Sequence, residues 1–151
     1  MLCEYIKVMV IQMNTNIKTY SELMTIPTFI DRYYYLRIGG QVGIETFGHN
    51  RYLNQILYSS DEWKRFRRDI ILRDKGCDLA CYGFDIYEKA LVHHINPITV
   101  QDVVDRHPKI FDPENVITTI LSTHNAIHYG DERLLGTFTE RSKNDTCPWK
   151  R

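Results

Sequence analysis

The sequence predicts an α+β fold in which a helical N-terminal half precedes a β-hairpin and a closing helix. Two patterns support this prediction. Between residues 28 and 71, apolar side chains recur at intervals of three and four residues, which is the period of amphipathic helices. From Gly76 onward the pattern changes to short extended segments separated by turn residues, and a last helical segment ends at Gly130. Strands that follow a run of helices, instead of alternating with them, are typical of α+β proteins.

The helical half contains three predicted helices. Thr28 can cap the first, which ends at the Gly39-Gly40 pair because glycine is favoured just after a helix. The second begins near Arg51, and Ser60 can cap the third. The apolar positions of the three helices are, in order, Phe29, Tyr33, Leu36 and Ile38, then Leu53, Ile56 and Leu57, then Trp63, Phe66, Ile70 and Ile71. The third helix also carries four cations that face solvent: Lys64, Arg65, Arg67 and Arg68.

The segment from Gly76 to Pro97 predicts a hairpin. Tyr82-Gly83 has the composition of a turn, and the residues from 87 to 94 read as an extended segment. A short helix capped by Thr99 is expected to follow.

The segment after Asp112-Pro113 predicts a turn, a strand and a helix. The turn carries Asn115, and the β-branched run 116–119 predicts the strand. Ser122 can cap the last helix, and Gly130 can end it. The predicted regions are therefore a supporting helical region (1–75), a hairpin–helix core (76–136) and a basic polar tail (137–151), which together make one domain.

Composition and charge exclude several classes of protein. The chain has 151 residues with 12% aromatic content and a net charge of zero, which argues against an intrinsically disordered chain. Zero net charge also means that a nucleic-acid partner must be held by a local patch. No stretch reaches the roughly 18 apolar residues of a membrane span, so we expect no membrane partner. The four scattered cysteines and the absence of a basic leader predict a cytoplasmic chain with reduced thiols.

Five of the six histidines lie between residues 93 and 128, and their spacing is informative. His124 and His128 are four residues apart on a predicted helix, so both imidazoles project from one face, as two ligands of one metal ion would. His93 and His94 end a predicted strand, where consecutive side chains point in opposite directions. One of this doublet can therefore complete a metal site while the other faces a substrate. His107 and His49 have no supporting motif and are expected on the surface.

The segments LVHHINP, DPENVI and STHNAIH together resemble the signature of the HNH endonucleases. The resemblance covers about residues 91–130 and implies a ββα-metal fold, in which a β-hairpin and a helix surround one divalent metal ion. It implies that His94 is the general base and that Asn115 holds the loop carrying that base. The metal ligands that it implies are His93, His124 and His128.

Upstream, EWKRFRRDIILRDKGCDLAC resembles the helix that commonly precedes this hairpin. Many relatives have two CxxC pairs that bind a structural zinc ion. This chain departs from the pattern, since three residues separate Cys77 from Cys81, and Ile120 and Thr123 stand where the second pair would fall. We therefore predict no structural zinc here, and expect both cysteines to be small core residues.

The resemblance implies a metal-dependent endonuclease that hydrolyses double-stranded DNA by attack of a histidine-activated water. All-histidine ligation suits Zn²⁺, Ni²⁺ or Mn²⁺ better than Mg²⁺, although Mg²⁺ can act with retained waters. The four helix cations are the candidates for DNA contact. Compact proteins of this type are frequent in bacteriophages and prophages, which implies a bacterial cytoplasm, with a homodimer or a phage packaging partner left open.

Two other functions remain open from the sequence. One is a non-catalytic nucleic-acid-binding module in which three histidines hold a structural zinc ion. The other is a sequence-specific regulator that inserts the 63–73 helix into a DNA groove, although no second helix and turn at suitable spacing supports it. His94 discriminates between a nuclease and a zinc module, because a purely structural site has no use for an additional imidazole beside its ligands.

Overall fold

The computed structural model describes residues 17–38, 51–80 and 84–135. The described helices are α1 (Tyr20–Thr25), α2 (Phe29–Leu36), α3 (Arg51–Ser59), α4 (Asp61–Arg73), α5 (Val100–Val104) and α6 (Leu121–Tyr129). The described strands are β1 (Cys77–Asp78), β2 (Phe84–Asp85), β3 (Leu91–His94) and β4 (Val116–Thr119). Short 3₁₀ turns span Pro108–Phe111, Pro113–Asn115 and Glu132–Leu134. The fold is α+β, as predicted, and none of the described helices is long and apolar enough to cross a membrane.

Side-chain capping explains where three of the helices begin. Thr28, Ser60 and Thr99 each accept a hydrogen bond from the backbone N–H three residues further on, so these predicted caps are confirmed. α5 also has a capping box, because the Asp102 carboxylate accepts a hydrogen bond from the Thr99 N–H at 2.6 Å. At the other end of the fold, Gly130 closes α6 in the left-handed conformation (φ 65°), also as predicted.

Two helix ends differ from the sequence-based prediction. α2 ends at Leu36 with Arg37 as its C-cap, before the Gly39-Gly40 pair, which lies outside the described residues. Ser122 does not cap α6, because the helix already begins at Leu121 and Ile120 occupies the N-cap position. The Ile120 N–H donates to the Asp78 carboxylate (3.0 Å), so a distant side chain fixes the entry into this helix. α1 was not predicted at all.

The main strand pairing joins segments that lie far apart in the sequence. β3 pairs with β4 in antiparallel register, with His93 opposite Ile117 and His94 opposite Val116. Residues 95–115, which include α5 and two 3₁₀ turns, connect the two strands. The predicted hairpin within 76–97 is therefore wrong for β3. Among the described residues, only the two-residue strands β1 and β2 pair locally, on either side of residues 79–83. The predicted turn at Tyr82-Gly83 lies outside the described residues.

The β3–β4 pair separates two hydrophobic clusters. One cluster unites Leu23, Leu36 and Ile117 with Ala126 and Ile127 of α6. The other gathers Trp63, Leu57 and Ile110, with Val92 packed against them. Because side chains alternate along a strand, His93 turns toward α6 and His94 turns toward Trp63 of α4. The alternation predicted for the histidine doublet is thus present, and it is set by these two cores.

A partly buried ion pair at the end of α4 forms hydrogen bonds to β4. Arg73 binds the buried Asp74 carboxylate at 2.6 Å and donates to the Val116 carbonyl at 2.8 Å. Asp74 in turn accepts a hydrogen bond from the Thr118 N–H (2.8 Å). These bonds satisfy charges that would be costly to bury unpaired. Residues from both predicted regions, 1–75 and 76–136, thus share bonds and cores, whereas the predicted tail 137–151 lies outside the described residues.

Candidate metal centre and the cavity beside it

Three histidines from two elements converge between β3 and α6. One ring nitrogen of each of His93, His124 and His128 lies within 4.8 Å of the others. The ring centroids are 4.8 Å apart for His93 and His128, and 4.2 Å apart for His124 and His128. The structure therefore brings together all three ligands predicted from the sequence, and this cluster can hold a metal ion.

Ring nitrogens without hydrogen-bond partners support metal binding by this cluster. Among the described residues, the buried Nε2 of His93 and the buried Nδ1 of His128 have no partner. His93 is buried, so its unpaired nitrogen is shielded from water as well. Buried polar atoms are nearly always hydrogen-bonded, and an exception requires a reason. A metal ion bound by the cluster would provide one.

Burial keeps these imidazoles in the form that binds metals. It lowers the pKa of His93 well below its usual range, and the neighbouring His128 and His124 add to the effect. Burial lowers the pKa of His128 to about 4, with a further contribution from His124. Burial also lowers the pKa of His124, against a hydrogen bond to Asn125 that raises it. At neutral pH all three rings are uncharged, and each has a lone pair for a metal ion.

The lowered pKa values predict that the metal-free protein loses stability in mild acid. Between the ordinary value of 6.5 and the folded-state value of about 4, the unfolded chain binds a proton at His128 that the folded chain does not. The free energy of unfolding is therefore highest above pH 6.5 and falls as the pH drops toward 4. Thermal melts in EDTA at pH 7.5, 6 and 5 should show a progressive fall in Tm.

His128→Gln provides the control for that titration. The variant lacks one of the titrating groups, so its stability should depend less steeply on pH, by up to ~1.4 kcal/mol per pH unit. Burial raises the pKa of Asp102, but hydrogen bonds from Lys109 and Thr99 outweigh it and lower that pKa to about 2, so folded Asp102 titrates below the pH range of the melts. A melting temperature that stays constant from pH 7.5 to 5 would contradict the prediction.

His94 lies on the other face of β3 and is held by two contacts. Its ring stacks on Trp63 with centroids 5.5 Å apart and an angle of 27° between the planes. Its Nε2 lies 3.0 Å from the carbonyl oxygen of Ile110, to which an Nε2–H group donates. Burial lowers the pKa of His94, although this hydrogen bond partly offsets the shift. The ring is therefore neutral at pH 7, with its acceptor nitrogen at Nδ1.

Asn115 ties together the two ends of the connection between β3 and β4. Its Oδ1 accepts hydrogen bonds from the Asn96 backbone N–H (3.0 Å) and the Asn96 side chain (2.7 Å). Its Nδ2 donates to the Lys109 carbonyl (3.0 Å), and its own carbonyl accepts from the Ile95 N–H (2.8 Å). Asn115 thus fixes both the residues after His94 and the turn whose Ile110 carbonyl holds the His94 ring.

A cavity of about 510 Å³ opens beside both groups of histidines. His93, His124, His128 and His94 all line it, so the candidate metal centre and His94 share one space. Among the described residues, no hydrogen-bond partner is found for the Nδ1 of His94. This space is therefore the candidate active site.

The four predicted DNA-contacting cations do not share one environment. Lys64 and Arg68 form exposed ion pairs with acidic neighbours on α4 (3.2 and 3.6 Å), and Arg65 is also exposed. Arg67 instead lines the cavity and donates to the Ala90 carbonyl at 2.6 Å. The structure thus brings Arg67 to the candidate site and leaves the other three on the outer face of the helix.

The histidines and cysteines that were predicted to lie outside the metal site are the remaining residues to locate in the structure. His107 is exposed, as predicted, and its Nδ1 accepts from the Lys109 N–H (3.2 Å), while His49 lies outside the described residues. Cys77 is half-buried, and its thiol lies 3.5 Å from an Asp85 carboxylate oxygen. Burial, followed by this contact, raises the pKa of Cys77. Cys81 lies outside the described residues.

Several residues of the site were not assigned to it from the sequence. Trp63 was predicted as an apolar helix position, but it also forms the wall behind His94. Asn96, two residues after His94, is the partner of Asn115. Lys89 and Tyr58 line the cavity. The polar Asn96 directly after the HHI segment was the one available signal, since a polar residue there suggests a turn with side-chain hydrogen bonds.

Comparisons with models of known families, with curated proteins and with solved structures find no significant match to this chain. The motif residues and the geometry of the site are therefore the basis for assigning a function to this protein.

Proposed function

We propose that this protein is a metal-dependent endonuclease of the HNH type that hydrolyses phosphodiester bonds in DNA. One observation carries the proposal: a neutral imidazole, His94, is oriented by the Ile110 carbonyl and faces the same cavity as a three-histidine cluster that can hold a metal ion. β3 and α6 carry the clustered histidines and β4 pairs with β3, so the elements follow one another as strand, strand and helix, which is the order of a ββα-metal site.

His93, His124 and His128 are the residues that would hold the ion. Three nitrogen ligands suit Zn²⁺, Ni²⁺ or Mn²⁺ better than Mg²⁺, and they leave coordination positions open, as catalytic sites do. A divalent ion bound there would supply Lewis-acid stabilisation of charge on the phosphate and on the departing oxygen. Within the described part of the chain the cluster contains no carboxylate, so its three ligands are neutral and bring no negative charge near the substrate phosphate.

His94 would act as the general base through Nδ1. The Nε2–H group donates to the Ile110 carbonyl, which fixes the tautomer in which Nδ1 can accept a proton. In hydrolysis, Nδ1 takes a proton from water while the water oxygen forms a bond to phosphorus. The bond between phosphorus and the 3′ oxygen breaks, and that oxygen takes a proton from solvent water and leaves as a 3′ hydroxyl. His94 then releases its proton to solvent, and the other product carries a 5′ phosphate.

Asn115 and Trp63 would position this base without touching the reacting atoms. Asn115 fixes the segment after His94, and Trp63 stacks on the ring, so the imidazole has little freedom to rotate. Positioning of this kind lowers the barrier, because the base is already oriented when the substrate binds.

The same observations favour a nuclease over a purely structural zinc module. A structural site is usually closed by four ligands, whereas the described residues supply three to this cluster, which borders a cavity. A structural site also has no role for His94, a buried, oriented imidazole that is not part of the cluster.

The test is cleavage of supercoiled plasmid by the full chain in Mn²⁺, Ni²⁺, Zn²⁺ or Mg²⁺, with EDTA as the control. We expect nicked or linear product in at least one metal and none in EDTA. A preparation that binds metal but produces no nicked or linear plasmid in any of the four ions would overturn the nuclease proposal.

A further inference from the structure

The cavity is lined largely by apolar and aromatic side chains, which binding of a phosphate backbone does not need. Tyr58 and Tyr129 line it, with 43% and 56% of their surfaces exposed. Tyr58 rests edge-on against Trp63, with ring centroids 5.0 Å apart, so this ring is backed by a buried aromatic side chain. The other apolar lining residues are Leu91, Val92, Pro97 and Ile98. The site thus offers flat aromatic surface beside the proposed reaction centre.

The charged side chains that line the cavity favour the binding of an anion. Arg67 and Lys89 are its two cations, and no aspartate or glutamate is among the described residues that line the cavity. Neither cation forms an ion pair within the described part of the chain. Arg67 is held in place by its bond to the Ala90 carbonyl, just before β3. The two cations can bind the phosphate of a nucleotide, and the aromatic side chains beside them can bind its base.

Duplex DNA cannot stack its bases on these aromatic side chains. Its bases are stacked on one another, so it presents phosphates and base edges to a protein. An unpaired nucleotide has a free π-face, and stacking it on an aromatic side chain contributes about 1–3 kcal/mol per base. At about 510 Å³ the cavity also lies within the size range of pockets that enclose a small ligand.

We infer that the cavity receives an unpaired nucleotide, with its base against Tyr58 and Tyr129 and its phosphate near Arg67 and Lys89. The substrate is therefore single-stranded DNA, or duplex DNA that is locally unpaired, as in a supercoiled plasmid. This inference rests on the proposed nuclease function and specifies the form of DNA that the site accepts.

Binding without catalysis tests the inference. Fluorescence anisotropy in EDTA, at fixed salt, compares a labelled single-stranded 20-mer with the same sequence as a blunt duplex. We expect the single strand to bind at least 10-fold more tightly. Tyr58→Ala should weaken single-strand binding by roughly 10-fold, since one stacking contact is lost. Tyr58→Phe keeps the ring and should bind like the unaltered protein.

Tyr52→Ala is the matched control. Tyr52 lies on the same helix, α3, and is more exposed than Tyr58, but it does not line the cavity. Its loss should leave binding unchanged. Equal affinity for the two DNA forms, or single-strand binding by Tyr58→Ala that equals that of Tyr52→Ala, would overturn the inference.

Cleavage assays separate this inference from the proposed function. If linear duplex is cut as fast as single strands, the preference for unpaired DNA is wrong while the nuclease proposal stands. If single strands bind more tightly but no DNA is cut in any of the four metal ions, the nuclease proposal is wrong and the binding preference stands.

Discussion

His94→Ala is expected to reduce DNA cleavage by about 10²–10⁴-fold, the contribution that a positioned general base typically makes. Metal affinity should stay within about threefold of the unaltered protein, because His94 is not one of the three clustered histidines and its ring stacks on Trp63. Plasmid cleavage under single-turnover conditions measures the first quantity, and calorimetric titration with Zn²⁺ measures the second.

Chemical rescue shows whether a loss of cleavage reflects the missing base or a damaged fold. The alanine variant leaves a space beside Trp63 and the Ile110 carbonyl. Added imidazole can occupy that space and restore a proton acceptor, so we expect partial recovery that saturates with imidazole concentration. Cleavage by His94→Ala within tenfold of the unaltered protein, without imidazole, would show that another group is the base.

His124→Ala is expected to abolish both metal binding and cleavage. Two imidazoles are a poor site for a divalent ion, and even changes behind the ligands weaken metal binding by 10–100-fold. We therefore expect the Kd for Zn²⁺ to rise by roughly 100-fold or more. Calorimetry measures it directly, and plasmid cleavage at the same metal concentration should fall to the EDTA background.

Thermal stability gives an independent measure of the same loss. At a free metal concentration of 100 times the Kd, binding stabilises the unaltered protein by about 2.7 kcal/mol, whereas a 100-fold weaker site gives only about 0.4 kcal/mol. Metal should thus raise the Tm of the unaltered protein but barely that of the variant.

Ser122→Ala is the control on the same helix, because the Ser122 side chain neither caps α6 nor belongs to the cluster. It should retain the full metal-induced rise in Tm. An unchanged metal affinity in His124→Ala would show that the ligand assignment is wrong.

Local features of this fold were predictable because they depend on residues within about four positions of each other. The caps at Thr28, Ser60 and Thr99 are confirmed, as are strand 116–119 and the glycine end of α6. Capping bonds and helix periodicity are short-range, so the sequence pattern contains them directly.

The predictions that were wrong concern features that long-range contacts determine. The strand of His93 was assigned to a hairpin with nearby residues, but it pairs with β4 across a 21-residue connection. Ser122 has the right residue type for a cap, yet the Asp78 carboxylate from another element fixes the start of α6. In both cases a long-range contact competes with a plausible local one, and local patterns cannot rank the two.

The candidate site likewise combines features that the sequence predicts with features that only the tertiary structure determines. The sequence determined the chemistry: two imidazoles one turn apart on a helix, two adjacent imidazoles on opposite faces of a strand, and an asparagine in the connecting turn. Only the tertiary structure decided that β3 and α6 meet closely enough for three ring nitrogens to lie within 4.8 Å, and that Arg67 alone of the four cations reaches the cavity. The reason is physical. Spacing along a chain fixes the direction of side chains within one element, whereas the distance between elements depends on how their apolar faces pack, and that packing involves the whole core.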